Sequence, residues 1–169
     1  MLKKIILTTL CLSLFAAFSA EIAHCSEEAI YECYEQLLQK YPNVETIRNR
    51  FGDGARWRIT TELSPHDDSL ELEYAAMSYP GIEIEAMEFT WDGEDRYFLT
   101  SVIVTEAGLT DFLGIDVGSS EEAVISKFGE PYSAEGNELC YEDEAGYCFI
   151  TFVIESDKVA EMRFENFVD

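Results

Sequence analysis

A segment in the second half of the chain, together with a weaker copy upstream, most constrains the fold. The segment reads Gly114-Ile-Asp-Val-Gly-Ser-Ser-Glu-Glu-Ala-Val-Ile-Ser-Lys-Phe-Gly-Glu-Pro131, and the upstream copy reads Val44-Glu-Thr-Ile-Arg-Asn-Arg-Phe-Gly-Asp-Gly54. Each has the pattern of a short helix that ends at a Phe-Gly pair and leads into strand-like sequence. Self-similarity of this kind predicts two related units in tandem.

The first unit is expected to span residues 21–108. Apolar residues spaced by three and four predict a helix over 27–40, and Pro42 ends it. A shorter helix over 43–50 ends at Gly52, the usual position for a helix-stopping glycine. Alternating sequence separated by turn residues then predicts four strands, at 56–63, 69–76, 82–91 and 96–105.

The second unit is expected to span residues 109–169 and to repeat this plan in less space. Ser119 is predicted to cap its helix, with Glu122 three residues later. Three strands are expected near 138–141, 146–155 and 158–165. The fold class is therefore predicted to be α+β, with two tandem units of helix and antiparallel sheet and with the helices packed on one face of the sheets.

Side-chain alternation along the strands assigns residues to the two faces. In the second unit the predicted core face carries Ile150, Phe152, Ile154, Ala160, Met162 and Phe164, and the outward face carries Phe149, Thr151, Val153, Glu161 and Arg163. Aligning the final hairpins of the two units predicts an equivalent core of Met87, Phe89, Trp91, Val102 and Val104. That alignment leaves Glu88, Thr90, Ser101 and Ile103 outward.

The N-terminus has the pattern of a secretory signal peptide. Two lysines are followed by an apolar run from Ile5 to Phe18 and then by small residues. The run is too short to span a bilayer comfortably as a permanent helix. We therefore expect export to the cell envelope or the medium, as a secreted or periplasmic protein, with residues 1–20 removed.

The alternative at this end is a lipoprotein in which Cys25 is acylated. His24 directly before the cysteine and Glu21 between it and the apolar run both argue against it. A membrane is a predicted partner only in that alternative.

The acidic composition limits the partners. Thirty-four acids stand against 11 lysines and arginines, for a formal net charge of −23. Such a field repels nucleic acid and anionic membranes and attracts basic proteins and cations. Acidic surfaces also serve solubility alone, so the charge predicts no specific ligand.

Four cysteines remain after the signal, an even number that predicts a disulfide framework in an exported chain. Cys140 and Cys148 flank a polar turn and are expected to bridge across a hairpin. Cys25 and Cys33 are the second predicted pair. Eight helical positions rise about 12 Å, whereas a bridge joins Cα atoms about 5.5 Å apart, so Cys25 would have to fold back beside the helix.

The second unit resembles the repeat of β-lactamase inhibitor protein-like domains, a group that also includes small outer-membrane assembly lipoproteins. The resemblance rests on Gly114 to Gly118, Phe128 to Pro131 and the turn at Ser156 to Val159, and it covers about residues 112–165. It is weaker in the first unit, where Pro131 has no counterpart. It implies a tandem helix-plus-sheet fold whose open sheet faces hold a protein partner.

In inhibitor members of that group a hairpin loop of the first unit enters the target enzyme. The comparable loop here spans 65–69, and its acidic residues Asp67 and Asp68 would enter a basic site. With the outward sheet residues, the resemblance implies a protein-binding site at Asp67, Asp68, Thr90, Ser101, Thr151 and Val153.

Residues for catalysis or cofactor binding do not form a recognisable motif. The two histidines, His24 and His66, belong to no triad motif, and no zinc-binding spacing or phosphate-binding loop occurs. We therefore expect a non-enzymatic protein-binding module without a metal or cofactor, acting as a hydrolase inhibitor or an envelope assembly factor. The alternatives are a structural envelope lipoprotein anchored at Cys25 and an enzyme that uses surface carboxylates.

Overall fold

The computed structural model describes residues 25–167, so the predicted signal peptide at 1–20 lies outside the described part. This part contains three α-helices: α1 (Cys25–Lys40), α2 (Val44–Phe51), which continues into a 3-10 turn (Gly52–Gly54), and α3 (Glu121–Phe128). Eight strands follow the predicted order with one addition, β5. They are β1 (Arg56–Leu63), β2 (Glu71–Tyr79), β3 (Ile82–Trp91), β4 (Glu94–Val104), β5 (Ser133–Glu135), β6 (Glu138–Glu142), β7 (Cys148–Glu155) and β8 (Lys158–Asn166).

All eight strands form one antiparallel sheet in the order β1-β2-β3-β4-β8-β7-β6-β5. The first four strands form a meander in chain order, and β8 joins it by pairing with β4. Four residue pairs make this junction, from Ser101 opposite Glu165 to Val104 opposite Met162. The chain is thus a mixed α and β protein with one large antiparallel sheet and three helices in its described part.

The two short helices have side-chain caps. Asn43 Oδ1 accepts a hydrogen bond of 2.8 Å from the Thr46 N–H at the start of α2. Ser120 Oγ accepts one of 3.2 Å from the Ala123 N–H at the start of α3. Each bond satisfies a backbone donor that has no partner inside the helix. The predicted cap, Ser119, lies one residue too early, and its hydroxyl accepts from the Asp116 N–H instead.

The buried core joins residues of the helices to residues on one face of the sheet, and we call that face the helix face. One buried cluster joins residues of all three helices to residues of every strand except β1 and β5. At its centre the Phe152 ring lies 5.1 Å from Phe128, 6.0 Å from Tyr141 and 6.2 Å from Phe112, measured between centroids. Phe112 belongs to the segment that leads into α3. These aromatic contacts therefore connect strands β6 and β7 to α3 and to the segment that precedes α3.

A β-bulge at Thr100 separates two halves of the β3–β4 ladder. Glu85 faces Ser101, but the next residue, Ala86, faces Leu99. Ile82, Ile84 and Ala86 lie on the helix face together with Val102 and Val104. The opposite face of β3 carries Met87, Phe89 and Trp91.

The predicted core of the first half is therefore partly wrong. Val102 and Val104 are buried as expected, but Met87, Phe89 and Trp91 lie on the opposite face from them. Trp91 is 49% exposed. Glu88 and Thr90, expected outward, lie on the helix face. Apolar residues occupy both faces of β3, so alternation alone could not choose between them.

Among the described side chains Cys33, Cys140 and Cys148 are free thiols, so neither predicted disulfide forms there. Cys140 lies opposite Thr151, whereas Cys148 lies opposite Asn166 at the start of β7. Strand alternation points the two side chains to opposite faces, so they cannot bridge without a change of register. Cys25 and Cys33 belong to one continuous helix, α1, whose rise holds them too far apart.

Candidate functional site

The face of the sheet opposite the helices is a candidate binding surface, and we call it the open face. The strand registers place a mixture of aromatic, aliphatic and small polar side chains on it. In the half of the sheet formed by β2, β3 and β4, its apolar members are Leu72, Tyr74, Met87, Phe89, Trp91, Phe98 and Ile103.

Aromatic side chains dominate this part of the open face. The Phe89 and Phe98 rings stack with centroids 5.8 Å apart and planes 6° from parallel. Trp91 lies beyond them on the same strand as Phe89, and Tyr74, on β2, is 37% exposed. Leu72 and Met87 are buried although no described element covers them, because their larger neighbours shield them. The surface is therefore apolar and partly accessible.

A shallow depression of about 460 Å³ lies beside these rings, at the junction of the two halves of the sheet. Met87, Ser101 and Ile103 line its walls, and Phe167 closes it from the end of β8. Phe167 also packs edge-on against Phe149 of β7, with centroids 5.6 Å apart. Carboxylates surround the depression, from Glu83, Glu85 and Glu165. A basic and apolar group would find complementary chemistry here.

The part of the open face formed by β6, β7 and β8 is more polar than the part formed by β2, β3 and β4. Arg163, on β8, donates to Glu138 Oε1 at 3.0 Å and also to Glu161. The hydrogen bond to Glu161 is the main cause that raises the pKa of the guanidinium. Thr151 lies opposite Arg163 and is only 8% exposed, and its hydroxyl donates to Cys140 Sγ at 3.7 Å.

The predicted binding residues fall into three separate places. Ser101, Thr151 and Val153 lie on the open face, as expected from alternation, although Thr151 is nearly covered. Thr90 lies on the helix face, where its hydroxyl donates to Asp95 Oδ1 at 2.9 Å. Asp67 and Asp68 lie in the turn between β1 and β2. The structure therefore brings together the open-face residues but not the whole predicted set.

The turn that carries Asp67 is held by its own hydrogen bonds. Asp67 Oδ1 accepts from the Ser69 N–H at 2.9 Å and from the Ser69 hydroxyl at 2.6 Å. These bonds to Ser69 lower the pKa of the Asp67 carboxyl. Ser64 Oγ accepts from the His66 N–H at 3.2 Å. The carboxylate of Asp67 is thus engaged inside the turn, and Asp68 is the more exposed of the two.

An acidic groove that the strand patterns do not predict lies on the helix face, where the sheet extends past the helices. It has a volume of about 940 Å³ and lies between the α1–α2 connection and strands β1 to β4. Five carboxylates line it, four on the strands, those of Glu71, Glu73, Glu88 and Asp95, and one in the β1–β2 turn, that of Asp68. Adjacent antiparallel strands bring the four strand carboxylates together, with Glu73 opposite Glu88. The sequence of one strand does not show which residues of the next strand it faces. The pairing register is therefore needed to reveal this arrangement.

The two buried thiols in the described part of the chain, Cys33 and Cys148, are poorly suited to nucleophilic chemistry. Burial raises the pKa of Cys33, and burial followed by the nearby Asp143 raises the pKa of Cys148 to about 11. A raised pKa keeps a thiol protonated, whereas the thiolate is the nucleophile. Within residues 25–167, no three His, Cys, Asp or Glu side chains are grouped in a way that could hold a metal ion.

The helices of the described region include none that is both long and apolar enough to cross a membrane. No protein-family model, no curated protein and no solved structure matches this chain.

Proposed function

We propose that this chain is an exported, non-enzymatic protein-binding module that holds its partner on the open face of the sheet. The observation that carries the proposal is the accessible aromatic surface of Tyr74, Phe89, Trp91 and Phe98 beside the depression at Ser101. Exposed apolar patches bordered by polar groups are typical of interaction sites. Aromatic side chains are enriched in such interfaces because they bury a large area with little loss of conformational freedom.

The proposal includes a tandem origin of the two halves, with helices packed on one face of a continuous sheet. Helices α2 and α3 support it because both have eight residues, a side-chain cap at the N-terminus and a glycine directly after the last turn. Gly52 and Gly129 have similar backbone angles, with φ of 59° and 80° and ψ of −152° and −161°. The last strands of the two halves, β4 and β8, pair with each other at the centre of the sheet.

The charge distribution favours a basic partner. Carboxylates surround the depression, and the chain as a whole carries a formal net charge of −23. Long-range attraction of this kind raises the rate of association with a cationic surface, whereas the aromatic contacts supply most of the affinity. A hydrolase with a basic active-site region and a basic envelope assembly component both fit this description.

The test is capture of a partner from the native host's envelope or culture fraction with the purified protein as bait. Ser101→Arg places a long cation inside the depression and should abolish capture. The matched control is Ser126→Arg, the same change at an exposed position of α3 on the other side of the molecule. Capture that is equal with both variants contradicts the open face as the binding surface.

Tryptophan fluorescence gives a second measurement with the captured partner. In a Trp57→Phe background, Trp91 is the only tryptophan and reports on the open face. Binding there should shift its emission to shorter wavelength, because the partner excludes water from the ring. An unchanged spectrum at saturating partner would place the interface elsewhere.

The turn at Asp67 and Asp68 is the remaining part of the proposed site. Charge reversal at Asp68 should weaken binding if the turn enters a basic pocket of the partner. Reversal at the exposed Asp53, in the 3-10 turn, is the matched control. Equal affinity of both variants would remove the turn from the interface and leave the open face as the whole site.

A further inference from the structure

Strand β1 is the long edge of the sheet, and its outer side has no neighbour in the described part of the chain. The strand order places β1 at one end of the sheet, where it pairs with β2 along one side. Seven of its eight residues are exposed. An exposed edge of this length is a template for pairing with another strand.

The backbone groups available on that edge follow from the ladder with β2. The Ser64 N–H donates to the Leu70 carbonyl at 2.8 Å, which continues the regular β1–β2 register. In an antiparallel ladder, alternate residues bond to the same neighbour. Residues in step with Ser64 therefore bond to β2, whereas the intervening residues present both N–H and C=O outward. These outward residues are Trp57, Ile59, Thr61 and Leu63.

Apolar side chains accompany the free backbone groups. Ile59 is 44% exposed and Leu63 is 58% exposed, both on the helix face where the sheet extends past the helices. Trp57, on the same face, is partly covered by the Arg48 guanidinium, whose central carbon lies 5.2 Å from the ring centroid. The edge thus combines unpaired hydrogen-bonding groups with aliphatic surface that a neighbouring strand would cover.

The charge of β1 differs from that of the rest of the chain. It carries Arg56 and Arg58 against a single acid, Glu62. Arg58 has only a long contact of 4.0 Å with Glu85, and both side chains are mostly exposed. In a chain with a formal net charge of −23, this excess of arginine lowers the repulsion between two copies that meet at β1. It also holds opposite charges at positions that can face each other across a two-fold axis.

We propose that two copies of this chain pair antiparallel through β1, with the two-fold axis at Thr60. Trp57 of one copy then faces Leu63 of the second copy, and Ile59 faces Thr61 of the second copy. All four outward residues of each strand exchange backbone hydrogen bonds in this register. On the open face, Arg58 faces Glu62 of the second copy, and Thr60 faces itself.

The pairs of charged side chains distinguish the register with its axis at Thr60 from the adjacent register, which has its axis at Ile59. Pairs that lack backbone bonds bring their side chains closest, and Arg58 opposite Glu62 is such a pair. A two-fold axis at Ile59 would instead place Arg56 opposite Glu62 and leave the backbone groups of Leu63 outside the ladder. The axis at Thr60 therefore gives hydrogen-bond partners to more of the outward backbone groups of β1 than the axis at Ile59. The dimer does not depend on the proposed partner binding, because it uses a strand edge and not the open face near β3 and β4.

The first experiment is sedimentation of the purified protein over a wide concentration range, with charge-reversal variants. The parent should shift from the monomer mass to twice that mass. Arg58→Glu and Glu62→Arg should each weaken association about tenfold or more, because each creates two like-charge pairs. An equimolar mixture of these two variants should recover a heterodimer, since every pair is again opposite in charge. Arg56→Glu, the matched control, should have little effect.

The second experiment tests the axis directly by crosslinking with oxidised glutathione. Thr60→Cys should form a covalent dimer readily, because only residue 60 meets its own copy. Thr61→Cys should crosslink no more than the parent. A chain that stays monomeric at every concentration, or equal crosslinking at residues 60 and 61, overturns the proposal. If Arg56→Glu weakens dimer formation more than Arg58→Glu does, the proposed register is wrong. Circular dichroism verifies the fold of each variant. Recovery of the heterodimer also shows that both charge-reversal variants are folded, because only folded chains can pair through β1.

Discussion

The backbone N–H of Val44 donates a hydrogen bond of 3.1 Å to Oε1 of Glu88. Val44 is the first residue of α2, so its N–H has no partner inside the helix, and strand β3 supplies one. A carboxylate at a helix N-terminus also interacts favourably with the helix dipole. One residue of the acidic groove therefore has a structural role, because it fixes the start of α2 on the sheet.

Glu88→Ala should lower the free energy of unfolding by about 1–3 kcal/mol, since it leaves a half-buried donor unpaired. Glu88→Gln should cost less, because its amide oxygen still accepts the bond but lacks the charge. Urea denaturation measures both. Glu73→Ala, across the groove on β2, is the control, and a loss equal to that of Glu88→Ala would contradict this role.

Asp111 should make a pH-dependent contribution to stability. Burial opposes its ionisation, but hydrogen bonds from the Gln36 side chain at 3.0 Å and the Gly114 N–H at 2.7 Å outweigh that effect and lower its pKa. A carboxyl with a lowered folded-state pKa stabilises the fold above its unfolded pKa and loses this contribution as the pH falls through the folded value. The unfolded value is near 3.8.

The stability difference between the parent and Asp111→Asn should therefore be constant near neutral pH and shrink below about pH 3.8. Denaturant titrations at a series of pH values measure it. Asp157→Asn, at an exposed turn, is the control for the general effect of removing one acid. A difference that grows on acidification would contradict the assigned hydrogen bonds.

Phe152 should be among the most sensitive core positions. It is fully buried and contacts three other aromatic rings. Phe152→Ala removes these contacts and leaves a cavity that the surrounding strands cannot close, so the free energy of unfolding should fall by about 3–5 kcal/mol. Tyr132→Ala, at an exposed position, should change it little. Thermal unfolding compares the two.

The cysteines should react with a thiol reagent in a fixed order. Cys33 and Cys148 are buried with raised pKa values, whereas Cys140 is partly accessible on the open face. Among these three described thiols Cys140 should react first in the native protein, and in a Cys25→Ser background Cys140→Ser should remove the fast phase. Denaturation should release Cys33 and Cys148. Intact-mass measurement after alkylation without reduction counts the thiols, and a missing pair at Cys140 and Cys148 would contradict the register of β6 and β7.

Much of the local structure could be predicted from the sequence because it depends on neighbours in the chain. The boundaries of β1 and β3 agree with the predicted strands, and the glycines after α2 and α3 end the helices where expected. The alternation of β7 and β8 correctly separated Phe152 and Met162 from Thr151, because only one face of those strands is strongly apolar. Such features require no information about distant partners.

Other features depended on contacts between distant residues. β3 is apolar on both faces, so its pairing with β4 and the bulge at Thr100 decided that Trp91 lies on the open face. The opposed directions of Cys140 and Cys148 follow from the β6–β7 register, although the residues are close in sequence. The pairing of β4 with β8, which joins the two halves into one sheet, was likewise decided only in three dimensions. Periodicity determines which side chains share a face, but the pairing register determines which face that is and what lies beside it.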